Sequence, residues 1–217
     1  MHVSKGGGGK PQVWGDRNAS QASINNSYQQ GFVQMINGAK ISHAVNAVAL
    51  WNPAVGVQST GGIIQAEDSY FTNNQRSVEF MSYSYRIPGT SQIIPNASYF
   101  KNCEFRITKN YNQPDEDVMS MITMWDVEQV SVKSCDFIID ANAPVSAMQQ
   151  SPLNHNIGIT TLDASLHLDA LCPLPGGCPN EADWDYNTFT NLRAGVRLTS
   201  AWKNRGVYLN RSNFVDN

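Results

Sequence analysis

Charge is scarce in this sequence: Asp, Glu, Lys and Arg make up 15% of 217 residues, and the formal net charge is −3. No block of Lys and Arg breaks that thin background, so a nucleic-acid partner has no electrostatic footing. No apolar run is long enough to cross a bilayer as a helix. Helical periodicity is weak throughout, which argues against a bundle. Catalytic signatures are missing as well. His43, His155 and His167 have no serine elbow or His-Glu pair around them, so nucleophilic and metalloprotease chemistry finds no motif. The glycine run before Lys10 leads into Pro11 instead of the Lys-Ser/Thr ending of a phosphate-binding loop. Met1 to Lys10 is polar and unlike a signal peptide.

What the chain does contain is a repeat. Ile41, Phe71, Phe105, Phe137, Phe189 and Phe214 each follow a small or polar pair, at steps of 30, 34, 32, 52 and 25 residues. Five residues before each sits another apolar residue: Ile36, Ala66, Phe100, Val132, Trp184 and Leu209. Three copies add a pair seven and nine residues downstream, namely Val48/Leu50, Val78/Phe80 and Val196/Leu198. Units of this length, each too small to bury its own apolar face, stack to share one core. Alternation of large, polar and small residues within each unit is that of a strand. The sequence therefore predicts an all-β fold, a right-handed parallel β-helix (solenoid) of about six coils with inserted loops and uncapped ends.

One domain spans the chain in this reading. Residues 1–31 form a turn-rich edge and 32–217 the coils, with insertions near 81–95, 110–117, 140–154 and 172–183. The chain stops three residues past Phe214, before the downstream pair of another coil, so it reads as an internal piece of a longer solenoid. Stacking in register predicts an aromatic ladder of Phe71, Phe105, Phe137, Phe189 and Phe214. Beside it runs a ladder of small residues, Ser69, Cys103, Cys135, Asn187 and Ser212, in which a buried Asn187 must find hydrogen-bond partners. Cys103 and Cys135 thus face each other on adjacent coils, as an unbonded buried pair or as a disulfide. Cys172 and Cys178 bracket Pro-Leu-Pro-Gly-Gly, a loop with little core material; a zinc site is the competitor, but His155 and His167 sit at no metal spacing, and a disulfide there fits an oxidising compartment and export.

The same register selects candidates for chemistry. Glu104 and Asp136 share the outer face of one sheet, with Arg106 beside them and Lys101 and Lys133 at another shared offset. Neighbouring carboxylates can raise one pKa, hold a Ca2+ ion, or divide acid and base roles on a sugar. The plainer alternative is a solvated face of ion pairs, with no cofactor. Asp115, Glu116 and Asp117 form a second acidic cluster without the glycine and ligand spacing of a calcium-binding hand. Tyr70, Tyr83, Tyr85, Tyr111, Trp125 and Trp202 are aromatic candidates for stacking on glycan rings, or for covering coil ends.

Several stretches carry a resemblance. Residues 12–16 (Gln-Val-Trp-Gly-Asp), 38–44 (Gly-Ala-Lys-Ile-Ser-His-Ala), 50–53 (Leu-Trp-Asn-Pro) and 61–66 (Gly-Gly-Ile-Ile-Gln-Ala) are similar to large surface proteins of the Bacteroidota. So are residues 98–105 (Ser-Tyr-Phe-Lys-Asn-Cys-Glu-Phe) and 170–172 (Ala-Leu-Cys). The resemblance implies right-handed parallel β-helix repeats exported by the type IX secretion system. No catalytic motif carries over, and the family's signal peptide and sorting domain have no counterpart in the chain. Taken together, a secreted or cell-surface scaffold for adhesion is expected, with extracellular polysaccharide or cell-surface glycan as partner and no nucleic acid or membrane span. A polysaccharide lyase or glycoside hydrolase acting around Glu104 and Asp136 is the other expectation.

Overall fold

The computed structural model describes residues 32–50, 62–80, 85–86, 93–94, 97–113, 118–144, 155–203 and 205–216. The edge at 1–31, Tyr83 and the cluster at 115–117 lie outside the described residues. The chain is an all-β solenoid built from three parallel sheets. Phe32–Met35, Ile63–Glu67, Tyr99–Lys101, Val130–Lys133, Leu166–Asp169 and Val207–Leu209 stack as the first sheet. Lys40–Ser42, Tyr70–Thr72, Glu104–Ile107, Asp136–Ile139, Asn187–Thr190 and Ser212–Val215 form the second. Asn46–Leu50, Arg76–Phe80, Ser120–Trp125, Ile157–Leu162 and Ala194–Thr199 form the third. The chain visits the sheets in that order and then begins again.

Corners between sheets need a backbone that bends within a few residues. Asn37, Asp68, Asn102, Ser134 and Arg211 turn the chain from the first sheet to the second; His43, Asn73, Asn191 and Asp216 lie at or beyond the end of the second sheet's strands. All nine take φ between +43° and +58°, a region that Asn and Asp enter more readily than most residues. Corner side chains also tie one turn to the next. Asn73 Oδ1 accepts the Thr108 N–H (2.8 Å), and Asn74, fully buried, accepts from Ala44 N–H (3.0 Å) and donates to the Ile41 carbonyl (3.1 Å).

Register makes the core. Phe71, Phe105, Phe137, Phe189 and Phe214 stack face to face, with centroids 4.6, 4.7, 4.7 and 4.8 Å apart along the column. Phe100 packs edge-on against Phe71 and Phe105. Glycines make room for the rings, since a Cβ on Gly195 would lie 2.4 Å from Phe214 and one on Gly158 2.9 Å from Phe189. Ser69, Cys103, Cys135 and Ser212 line the adjacent corner, and each donates its side-chain hydrogen to the carbonyl two residues earlier. Asn187 completes that column, accepting the Cys135 N–H (3.0 Å) and donating to the Asp169 carbonyl (2.7 Å).

Two positions differ from the sequence expectation. Met35, not Ile36, pairs with Ala66 at the inward position, because the Asn37-Gly38 corner is one residue longer than the others; Ile36 is left 45% exposed. Trp184 does not occupy the inward position before Phe189. Leu168 does, aligned with Val132 and Leu209, because an excursion separates Asp169 from Asn187 along the chain. That excursion carries the Cys172–Cys178 disulfide and a short turn at Glu181–Asp183, and Arg211 lies 4.0 Å over the Trp184 ring. Residues 81–95 hold a small antiparallel pair, Tyr85–Arg86 with Ile93–Ile94.

Candidate functional site

On the second sheet, Glu104 sits between Tyr70 and Asp136 in register, and Asp136 between Glu104 and Thr188. Arg106 does not gather the two acids. Its Nε binds Asp140 at 2.9 Å and its Nη1 reaches Glu104 at 3.4 Å. Asp140 went unnoticed in the sequence because it stands just beyond the strand, four residues after Asp136. Asp136 keeps substantial exposed surface, yet the protein mass around it raises its pKa; Asp185 adds to the rise, while a Thr188 hydrogen bond and Arg106 oppose it. Lys101 and Lys133 pair with each other on the first sheet, away from these acids, and Lys101 binds Glu67. A cation between Glu104 and Asp136 would face the Arg106 guanidinium. Among the described residues, no three His, Cys, Asp or Glu side chains gather as a metal would need.

The aromatic candidates scatter. Tyr70 projects outward from the second sheet, 44% exposed, beside Glu104. Tyr111 is buried in the main core, 6% exposed, and so offers no face to a glycan, although the sequence places it in a polar insertion. Trp125 ends a strand of the third sheet and is 37% exposed, while Trp202 stands on the loop after Thr199 and is 81% exposed. Nothing in the register brings Tyr70, on the second sheet, beside Trp125, on the third.

The most organised surface is the corner leading from the third sheet to the first. Asp163, almost wholly buried, accepts the N–H groups of Ala201 (2.8 Å), Trp202 (3.0 Å) and Lys203 (3.0 Å) on one carboxylate oxygen. Burial opposes its ionisation, but these three donors and the Lys203 charge outweigh that and hold its pKa down. Lys203 binds Asp126; Arg205 lies 3.1 Å from Asp126 and 2.8 Å from Glu128. Next along the chain is a shallow open groove of about 560 Å³ lined by Gln129, Ser165, His167, Gly206 and Tyr208. His167 and Tyr208 are paired in register, their rings edge to face at 4.4 Å.

This groove is not among the sites expected from the sequence. Its signal was nevertheless present: Tyr99, Ser131, His167 and Tyr208 form one outward row of the first sheet. That row becomes readable only once Leu168 replaces Trp184 as the inward residue. The thiols give a simpler result. Cys172 and Cys178 are joined, with Cα atoms 5.6 Å apart, whereas Cys103 and Cys135 are free and buried. Comparison of the chain with protein-family models, with curated proteins and with solved structures gave no match in any of the three.

Proposed function

We propose that this chain is a segment of a secreted or cell-surface right-handed parallel β-helix of about six coils, a scaffold for adhesion that meets extracellular glycans. The lineage it resembles, exported Bacteroidota surface proteins of the type IX secretion kind, is part of the same proposal. One observation carries the scaffold reading: Arg106 is divided between Glu104 and Asp140 and makes no ion pair with Asp136, so acid, base and cation do not converge. Glycosidic cleavage needs two carboxyl groups flanking one bond, in a cleft that also holds the sugar. The groove lined by His167 and Tyr208 lies on the first sheet and includes neither Glu104 nor Asp136. The oxidised Cys172–Cys178 pair supports export, since such bonds persist in oxidising compartments.

A lyase or hydrolase is the second reading, favoured by one feature, the raised pKa of Asp136 next to Glu104. A panel of neutral and acidic polysaccharides, followed for new reducing ends and for unsaturated products, separates the two. The scaffold reading expects binding to some members and product from none. Product formation that disappears in Glu104→Gln or Asp136→Asn would replace it with the enzyme reading.

A further inference from the structure

We propose that the corner groove lined by Gln129, Ser165, His167, Gly206 and Tyr208 is a binding subsite for an uncharged, hydroxyl-rich polysaccharide chain, an inference that rests on the glycan-contacting reading above. The shape comes first. The groove is shallow and open, which suits a polymer lying across it better than a small molecule, whose pockets usually enclose most of the ligand. Its lining joins the His167 and Tyr208 rings and the aliphatic Leu166 and Val207 to the polar Gln129 and Ser165. Tyr208 is 52% exposed, and His167 packs against it edge to face, so the contact fixes both rings. An apolar pyranose face can cover such a ring while the equatorial hydroxyls reach outward. Ser165 Oγ accepts the Gln129 N–H at 2.7 Å, which leaves its own hydrogen free to donate to a sugar oxygen. Gly206 adds no side chain, and a Cβ there would meet nothing within 4 Å, so a ligand can approach the backbone.

Charge then narrows the class. Of the cations leading into the groove, Lys203 is held by Asp126 and Arg205 by Asp126 and Glu128. A uronic-acid or sulfated polymer would have to break those pairs to find a counter-charge, and a polycation would meet carboxylates already engaged. Uncharged hexose or pentose chains carry no such cost. The groove wall is also set in advance. Three backbone N–H groups on Asp163 fix the start of the loop that enters it, which reduces the ordering cost of binding. The same loop holds Trp202 in solvent, where it offers a second stacking surface to a long chain.

The test uses the full chain and three neutral probes, cellohexaose, mannohexaose and xylohexaose, with polygalacturonate as the acidic comparator. Calorimetry gives affinity and saturation-transfer NMR reports which probe protons touch aromatic rings. At least one neutral probe should bind, and Tyr208→Ala should weaken it about tenfold or more while Tyr208→Phe keeps it. Lys40→Ala, on the second sheet, should leave the affinity unchanged. Circular dichroism melting of each variant checks that the half-exposed Tyr208 is not needed for folding. Unaltered affinity in both Tyr208→Ala and His167→Ala overturns the groove but leaves a glycan surface elsewhere. Binding of polygalacturonate alone overturns the neutral class. Silence from every probe in the low millimolar range overturns the groove and, if the wider polysaccharide panel is silent too, the glycan-contacting reading with it.

Discussion

Phe137 has a ring stacked on each side, Phe105 below and Phe189 above, and none of its surface is exposed. Truncating it should cost about 3–5 kcal/mol in urea unfolding, by lost transfer energy and the cavity left behind. Phe214→Ala, at a position 48% exposed, should cost less than half as much. In the neighbouring column Asn187→Ala strands the Cys135 N–H and leaves the Asp169 carbonyl with the longer bond from the Ser134 N–H (3.4 Å), for an expected loss of about 1–3 kcal/mol. Cys103→Ser, by contrast, repeats the bond that Ser69 and Ser212 already make, and its effect should stay within about 1 kcal/mol. Asp136 gives a pH signature. Its crowding raises the folded pKa, so the folded chain holds a proton that the unfolded chain has lost just above the ordinary aspartate value. Stability should therefore fall as pH rises through that window, and Asp136→Asn should remove this slope from a melting-temperature series.

Between coils the connecting elements decide what is readable from the chain. Val78 and Phe80 stand seven and nine residues past Phe71 because the corner between them is short, and they align with Ile122 and Met124 in the next coil. Ile122 itself lies seventeen residues past Phe105, since an insertion intervenes between the second and third sheets, and no fixed offset reveals it. The first-to-second corner keeps its length in four of the six copies, which is why the phenylalanine column was legible and Met35 and Leu168 were not. Sites suffer more than folds from this loss. Glu104 and Asp136 could be paired from the register, but the Arg106–Asp140 bond and the Tyr208 groove depend on loop paths. Closing a loop across a separation of six residues, the Cys172–Cys178 bond should contribute about 2 kcal/mol; calorimetric melting of Cys172→Ser/Cys178→Ser checks it. Asp163 acts on an element too. Because its folded pKa is depressed, its contribution is complete above the unfolded aspartate value and is lost as pH falls through the folded one. Asp163→Asn should raise the exchange rate of the Ala201, Trp202 and Lys203 amides about tenfold or more, with little change at Phe105.

At the scale of the molecule, contacts run between neighbouring turns, so stability is distributed along the stack instead of being held by one nucleus. Hydrogen exchange should show protection that is greatest in Tyr99–Lys101, Glu104–Ile107 and Asp136–Ile139 and that declines toward Phe32–Met35 and Ser212–Val215. Uniform protection would show that the turns open as one unit. Every sheet in the stack is parallel, and its ladder hydrogen bonds point from turn to turn, along the axis on which the phenylalanines pile up. A load pulling the two ends of the stack apart therefore meets these bonds one turn at a time, as a peeling seam, and not all together in shear. Each turn that lets go pays out about 100 Å of chain, the extended length of roughly 30 residues. An anchored assembly of this kind would lengthen under tension in small steps and keep its remaining turns folded, a shock-absorbing extensibility that a globular domain, yielding all at once, lacks.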